Sequence, residues 1–177
     1  MMIKPQDTLL ALKYWSLRRS GQRLAVRDLA LSLDISASEV SKGARRLLAA
    51  RLLVEREGAY HAEANALTEW LSYGARYTFP VEEKGYGRGM GTGWTCELVK
   101  SDIVPPTPGT IWASAGGRQE GVIVEPIYRS VPLAASKDPM LYEALALVDA
   151  IRMGRPRELA IARASLKILI TGKTGEL

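Results

Sequence analysis

Hydroxyl and basic side chains between residues 36 and 46 are the groups in this sequence best suited to binding an anionic partner. Arginine and lysine donate charge-assisted hydrogen bonds to phosphate oxygens and can read the edge of guanine, and serine serves either purpose. The members of this polar set are Ser36, Ser38, Ser41, Lys42, Arg45 and Arg46. Within it, we expect Arg45 to contact a base and Lys42 to contact a phosphate. A solvated helix face is the alternative interpretation.

The apolar residues of the same stretch predict the helix that must position this set. They recur at three- and four-residue spacing and form its buried side: Val40, Ala44, Leu47 and Leu48. Ser36 or Ser38 can cap this helix, and Glu39, three residues after Ser36, completes the pattern of a capping box. The polar set is then left on the opposite side, which a groove-reading helix must present.

Two further helices are predicted before this one. Pro5 and Asp7 mark the start of the first, because proline is tolerated in a first turn and an acidic side chain there suits the helix dipole; Gly21 ends it. Residues 26–33 predict a short second helix, which Asp34 interrupts.

A β-hairpin is predicted after the third helix. The extended segments LLVERE and AYHAEA flank Gly58, which can take the positive φ of a tight turn. Arg56 lies near the tip, where it could enter the minor groove of DNA, touch the DNA backbone or remain an ordinary surface charge.

The run VRDLALSLDISASEVSKGARRLLAARLLVEREGAYH resembles the winged helix-turn-helix of MarR-like bacterial transcription regulators, over about residues 5–65. In such a motif a small residue such as Ala30 lets the helices approach, and Ile35 plugs the core at the turn. The resemblance implies that the helix beginning near Ser36 enters the major groove. Readers of this type usually bind two half-sites as a two-fold dimer, so we expect a homodimer.

The resemblance does not extend downstream, so the fold expectation has three parts. Residues 1–65 form the winged helix-turn-helix domain, residues 66–135 form a helix and a Gly/Pro-rich connecting region, and residues 136–177 form a C-terminal helical region suited to dimerisation. The chain is therefore predicted to be mainly α with a small β-hairpin wing, an α+β fold. The two last helices, near 139–153 and 157–170, could pack on their own chain or on a second copy, and we favour the second copy.

Glycine at every second position from Gly85 to Gly93 predicts a flexible loop, with residues 81–110 mostly loop. Alternatives are a backbone that passes closely by the first domain or an arm in which Arg88 reaches nucleic acid. A phosphate-binding turn is disfavoured because the preceding strand, following helix and lysine are missing.

The later segment VIVEPIY predicts a strand that Pro126 breaks. Five aromatic residues could line an effector pocket, although core packing is the expected role: Tyr73, Tyr77, Phe79, Trp94 and Trp112.

Cysteine and histidine are too scarce for most other site chemistry. Cys96 is the single cysteine and His61 the single histidine, so neither an intrachain disulfide nor a cysteine and histidine zinc site can form. His61 has no nucleophile motif beside it, and we expect no catalytic residue, metal or cofactor. A carboxylate enzyme is a third hypothesis, but the spacing of Glu82, Glu83 and Glu125 does not distinguish them from surface charge.

Charge and hydropathy set the class of partner. The 177 residues carry a net charge of +5, and residues 1–65 hold 11 Lys/Arg against 7 Asp/Glu, an excess of +4. Such an excess favours acidic partners, of which nucleic acid is the commonest. No apolar run approaches the roughly 20 residues that span a bilayer, so we expect a cytoplasmic protein with no membrane partner.

Together these features predict a DNA-binding transcriptional regulator that is not an enzyme. We expect a dimeric repressor that acts by occlusion and binds double-stranded DNA. The alternative is a protein-interaction module, such as an antitoxin or replication accessory, in which the winged helix docks on a protein partner.

Overall fold

The computed structural model describes residues 2–172 and shows an α+β fold, with mainly helices and two small sheets. This agrees with the prediction of a mainly α chain that contains a β-hairpin. In chain order the elements are α1 (Pro5–Arg19), α2 (Val26–Leu33), α3 (Ala37–Ala49), β1 (Leu53–Arg56), β2 (Ala59–Ala62), α4 (Ala64–Tyr73), α5 (Ala75–Thr78), β3 (Glu83–Gly91), a 3-10 turn (Gly93–Thr95), β4 (Gly109–Ala113), β5 (Gln119–Val124), α6 (Val131–Ser136), α7 (Pro139–Met153) and α8 (Pro156–Thr171). None of the helices in the described range is long and apolar enough to cross a membrane.

Helix α1 joins the N-terminal and C-terminal parts of the chain. It packs against α3 and β2 on one side and against α7 on another. Its Trp15 indole donates a hydrogen bond to the carbonyl of Ile170 (3.1 Å), and both Lys13 Nζ (2.8 Å) and Ser16 Oγ (2.7 Å) donate to the carboxylate of Asp138. The three predicted segments therefore share one continuous hydrophobic core.

Helix α7 is the centre of that core. Every residue from Ala144 to Arg152 is buried, and the helix is surrounded by α1, α4, α5, α6 and α8 of its own chain. The apolar face near residues 139–153 is thus covered without a second copy. Sequence periodicity identified the helix but could not say which elements surround it, because that depends on contacts between residues far apart in the chain.

The glycine-rich segment is a strand, so the prediction of a flexible loop was wrong for residues 83–91. Strand β3 pairs antiparallel with both β4 and β5, which pair parallel to each other, and the three strands close into a small barrel. The predicted VIVEPIY strand is observed as the end of β5 and stops before Pro126.

Glycine is required in this barrel because the strands approach too closely for side chains. A Cβ atom on Gly89 would overlap the carbonyl of Trp112, and one on Gly121 would overlap the carbonyl of Gly109. Glycine inside a strand often marks such a close backbone approach. Gly89 and Gly121 therefore permit close packing between the strands, whereas Gly85 supplies a positive φ (98°) at a position with open space around it.

A buried polar cluster holds the barrel on α7. Asp149 is fully buried and accepts hydrogen bonds from Trp112 Nε1 (2.6 Å), Thr92 Oγ1 (2.9 Å) and Arg152 Nη1 (2.6 Å). The Arg152 guanidinium also donates to the carbonyls of Phe79 and Pro80. Each of these charged groups has its partner, as burial in a low-dielectric interior demands.

Candidate nucleic-acid interface

A three-residue turn places α3 against α2. Asp34 adopts the left-handed conformation (φ 52°) that ends α2, and the amide of Ile35 donates to the carbonyl of Ala30 (3.1 Å). Ser36 then begins α3, with its hydroxyl accepting a hydrogen bond from the Glu39 amide (3.1 Å). The predicted cap at Ser36 is confirmed, and Ile35 packs against the core at the turn as predicted.

Helix α3 has one buried and one exposed face. Val40, Ala44 and Leu47 are buried. The exposed side chains are Ser38, Ser41, Lys42 and Arg45. The sequence periodicity therefore assigned these residues to the correct faces.

The exposed face keeps most of its hydrogen-bonding capacity free. Among the described residues, Lys42 and Arg45 form no ion pair and Ser38 forms no side-chain hydrogen bond. The Ser41 hydroxyl already donates to the carbonyl of Ala37 (3.1 Å), which leaves it only as an acceptor in this geometry. Three donors thus face solvent on α3.

Arg46 does not belong to this face, which corrects its assignment to the DNA-contacting set. Its side chain is 9% exposed and binds the fully buried Asp7 carboxylate through two hydrogen bonds of 2.7 Å. It also contacts Glu39 (3.2 Å). The bidentate pair fixes α3 to α1, so the guanidinium is occupied inside the protein.

Gly43 permits this close approach of the two helices. A Cβ atom at Gly43 would lie 2.8 Å from Asp7 Oδ1 and 2.9 Å from Leu10 Cδ2. The hydrogen bonds to Asp7 raise the pKa of the Arg46 guanidinium above its ordinary value. Arg46 therefore remains charged, and its pair with Asp7 joins α3 to α1 beside Gly43.

Glu39 is held by Arg46 and does not complete the predicted capping box, for which α3 shows only the bond to the Ser36 hydroxyl. Its partial burial opposes ionisation, but the hydrogen bond from Arg46 and the positive charges of Arg46, Lys4 and Lys42 together outweigh that effect and lower the pKa of Glu39. The carboxylate nearest to the exposed cations of α3 is consequently paired with a buried partner.

The hairpin of β1 and β2 carries Arg56 at its tip. Glu57 (φ 53°) and Gly58 (φ 70°) both adopt positive φ, the pattern of a type I′ turn, and the predicted role of Gly58 is confirmed. The Arg56 side chain is 61% exposed and its closest carboxylate oxygen, on Glu63, is 4.0 Å away. Arg56 is therefore available to an external anion.

Five further arginines of residues 2–65 are exposed. Arg18, Arg19 and Arg23 are exposed. Arg27, in the first turn of α2, and Arg51, two residues after the end of α3, are also exposed, and neither was among the predicted DNA-contacting residues.

The chain matches no protein-family model, no curated protein and no solved structure. The assignment of the interface consequently depends on its residues and their geometry.

Glu82 and Glu125, two carboxylates of the enzyme hypothesis, lie together around Lys84. Lys84 joins Glu82 (2.5 Å) and Glu125 (3.4 Å) into an exposed ion-pair cluster, and its hydrogen bond lowers the pKa of Glu82. Residues 2–172 contain no group of three His, Cys, Asp or Glu side chains that could hold a metal ion. His61 lies in β2 opposite Val54 and forms no side-chain hydrogen bond with a described residue.

The aromatic residues that could have formed one effector pocket do not converge. Trp94 and Trp112 are buried in the core, and Phe79 packs against its edge. Tyr73 and Tyr77 are exposed on and after α4. Core packing is therefore the observed role of the tryptophans.

Proposed function

We propose that residues 1–65 form a winged helix-turn-helix that binds double-stranded DNA, with α3 in the major groove. The observation that carries the proposal is the pairing pattern of two neighbouring arginines. The Arg46 guanidinium forms a buried ion pair with Asp7 that anchors α3, whereas Arg45 and Lys42 are exposed and unpaired in the described structure. A rigidly anchored helix that presents free cations and a free Ser38 hydroxyl suits recognition of an anionic, groove-shaped partner.

Each exposed group has a distinct proposed role. Arg45 lies in the middle of α3 and contacts a base, for which guanine offers two acceptors in the major groove. Lys42 contacts a phosphate, and Ser38, near the N-terminus of the helix, serves either atom type. Arg56 on the hairpin contacts the flanking backbone or minor groove.

Selection of bound sequences from random double-stranded DNA, with the purified full chain, tests this function. We expect an enriched two-fold motif whose half-sites are about one helical turn, roughly 10 base pairs, apart, because a homodimer places two α3 helices on one DNA face. Such a protein would repress transcription by occluding a promoter. Failure to enrich any motif would contradict sequence-specific binding and favour a protein partner for the same face.

Variants of α3 test the individual roles in gel-shift titrations at several salt concentrations. Lys42→Ala should reduce the slope of log affinity against log salt by about 0.9, the value for one lost contact to duplex phosphate. Arg45→Ala should weaken binding to the selected site by about tenfold or more and relax preference at one base pair.

A control variant separates loss of these contacts from loss of charge. Arg155→Ala/Arg157→Ala removes two exposed positive charges near the start of α8, whose main partners are α7 and α4. It should bind the selected site within about twofold of the parent, well below the roughly tenfold loss that one direct base contact represents. Equal losses in the two double variants, Lys42→Ala/Arg45→Ala and Arg155→Ala/Arg157→Ala, would show that α3 is not the reading element.

A further inference from the structure

A cleft of about 710 Å³ lies between the small barrel and α6, away from the exposed face of α3. Its walls are β3, the turn near residues 114–118, the segment near 97–98 and α6. This volume falls in the range of about 300–1,000 Å³ that is usual for small-molecule sites. The proposed DNA contacts on α3 do not use it.

The cleft presents unpaired cations. Arg118 and Arg129 are exposed, and neither forms an ion pair with a described carboxylate. The nearest aromatic contact of Arg129 is the ring of Tyr128, 5.9 Å from the guanidinium carbon. Ser114 adds a hydroxyl that forms no hydrogen bond within the described structure, and Glu97 is the one carboxylate in the lining. The balance favours an anionic group.

Apolar side chains occupy another part of the same lining. Leu133 is 46% exposed and Leu98 is 37% exposed, and Met90 and Pro132 lie beside them. Exposed leucines beside unpaired arginines fit a ligand that has an anionic group and an apolar body.

Gly116, in the cleft lining, has open space where a side chain would begin. Its φ lies outside the left-handed region, and no atom lies within 4 Å of the position that a Cβ would take. Neither backbone conformation nor packing therefore requires glycine there, in contrast to Gly89 and Gly117 in the same lining, where a Cβ would overlap neighbouring backbone.

Arg129 also connects this cleft to the turn before α3. Together with Tyr128 it lines a second, smaller cavity whose other walls include Asp34, Ser36 and Glu39. Helix α6, which begins two residues after Arg129, packs against α2. A ligand that draws the Arg129 guanidinium into the barrel cleft would remove a positive charge from the cavity that Ser36 also lines.

We propose that the barrel cleft binds a small organic oxyanion with an apolar body, and that Arg129 transmits its presence to α3. The expected ligands carry a carboxylate or a phosphate monoester on an aromatic or branched aliphatic group. The binding step stands on the cleft alone, whereas the transmission rests on the proposed DNA-binding function.

Amide-detected NMR titration of the full chain tests binding, with phenyl phosphate and benzoate as the two amphiphilic probes. We expect saturable shifts at residues 114–118 and 129–133 with a dissociation constant of about 1 mM, the strength expected of so small a ligand, for at least one of them. Their relative affinities distinguish a phosphate from a carboxylate ligand. Inorganic phosphate has the anionic group without the apolar body, and benzyl alcohol has the apolar body without the charge. Each should therefore bind about tenfold more weakly than the better amphiphilic probe.

Variants assign the binding to the cleft. Arg118→Ala/Arg129→Ala should weaken binding of the probe at least about tenfold, since the loss of even one charge-assisted hydrogen bond costs about that factor. Gly116→Leu should weaken binding by filling space while the fold is retained, and Arg155→Ala/Arg157→Ala should leave it unchanged. Absence of saturable shifts with both amphiphilic probes, equal binding of inorganic phosphate, or indifference to the arginine variants would overturn the proposal.

Transmission is tested by repeating the DNA titration with the probe that binds. We expect the affinity of the parent for its selected DNA to change at least about fivefold, a typical allosteric coupling, and that of Arg129→Ala to stay constant. If the probe binds but the DNA affinity does not change, the proposed transmission through Arg129 is wrong, and the cleft is still a binding site for the probe. Absence of DNA binding would instead overturn the proposed function, and the NMR titration would still report on the cleft.

Discussion

Replacing each of two adjacent arginines with methionine should separate stability from recognition. Arg46→Met removes the charge that pairs with Asp7 but keeps most of the side-chain volume, whereas Arg45→Met makes the same change on the exposed face. The first variant should unfold more readily, and the second should fold normally and lose DNA affinity.

The magnitude follows from the burial of the partner. The Asp7 side chain is 0% exposed and would lose two hydrogen bonds of 2.7 Å, keeping only the bond from the Lys4 amide at 2.8 Å. Breaking a buried ion pair by removing one partner costs about 3–5 kcal/mol, and the remaining amide bond favours the lower end of that range. For a chain of this length the melting temperature should fall by roughly 6–20 °C, at about 2–4 °C per kcal/mol.

Equilibrium denaturation in urea measures the free energy of unfolding for both variants. Arg45→Met should remain within about 0.5 kcal/mol of the parent, as surface substitutions usually do. Asp7→Asn/Arg46→Met should recover a large part of the loss, because the buried group left behind is then neutral and still accepts the Lys4 amide hydrogen bond.

Two outcomes would refute this reasoning. If Arg46→Met and Arg45→Met differ by less than about 1 kcal/mol, the pair with Asp7 does not anchor α3 in the way its burial implies. If the double variant is no more stable than Arg46→Met, the unpaired carboxylate is not the cause of the loss.

Two further predictions concern the C-terminal half. Burial alone would raise the pKa of Asp138, but hydrogen bonds from Lys13, Ser16 and the Leu141 amide outweigh it and lower the pKa below the ordinary 3.8. Since the folded pKa is the lower one, this stabilisation is present above pH 3.8 and is lost as the pH falls through the folded value. Asp138→Asn removes the charge but retains a capping side chain. The difference in unfolding free energy between the parent and this variant should therefore be largest near neutral pH and shrink below about pH 4. A difference that does not change with pH would show that the charge is not its source. In the barrel, Gly89→Ala should cost about 1–3 kcal/mol or more through overlap with the Trp112 carbonyl, whereas Gly116→Ala should be neutral or stabilise by up to about 1 kcal/mol. Similar melting temperatures for these two variants would contradict the packing role of Gly89.

Local patterns by themselves determined the elements of the N-terminal part. The Ser36 cap, the two faces of α3 and the positive φ of Gly58 each depend on residues within one or two turns, so periodicity and turn chemistry suffice to predict them. The position of Ile35 followed from the same spacing. This is why the exposed set of Ser38, Ser41, Lys42 and Arg45 was correct.

Only the tertiary structure decided the features that depend on residues far apart in the chain. Arg45 and Arg46 are indistinguishable by type, and the fold separates them because Asp7, 39 residues from Arg46, lies beneath one and not the other. The alternating glycines suggested a loop from the sequence, because the strands that pair with them, β4 and β5, come from segments 20 to 41 residues later in the chain. Likewise α7 is a core helix and not an open dimer face, because elements from both ends of the chain surround it. Whether a residue is buried depends on which distant segments pack against it, and a local sequence pattern carries no information about those segments.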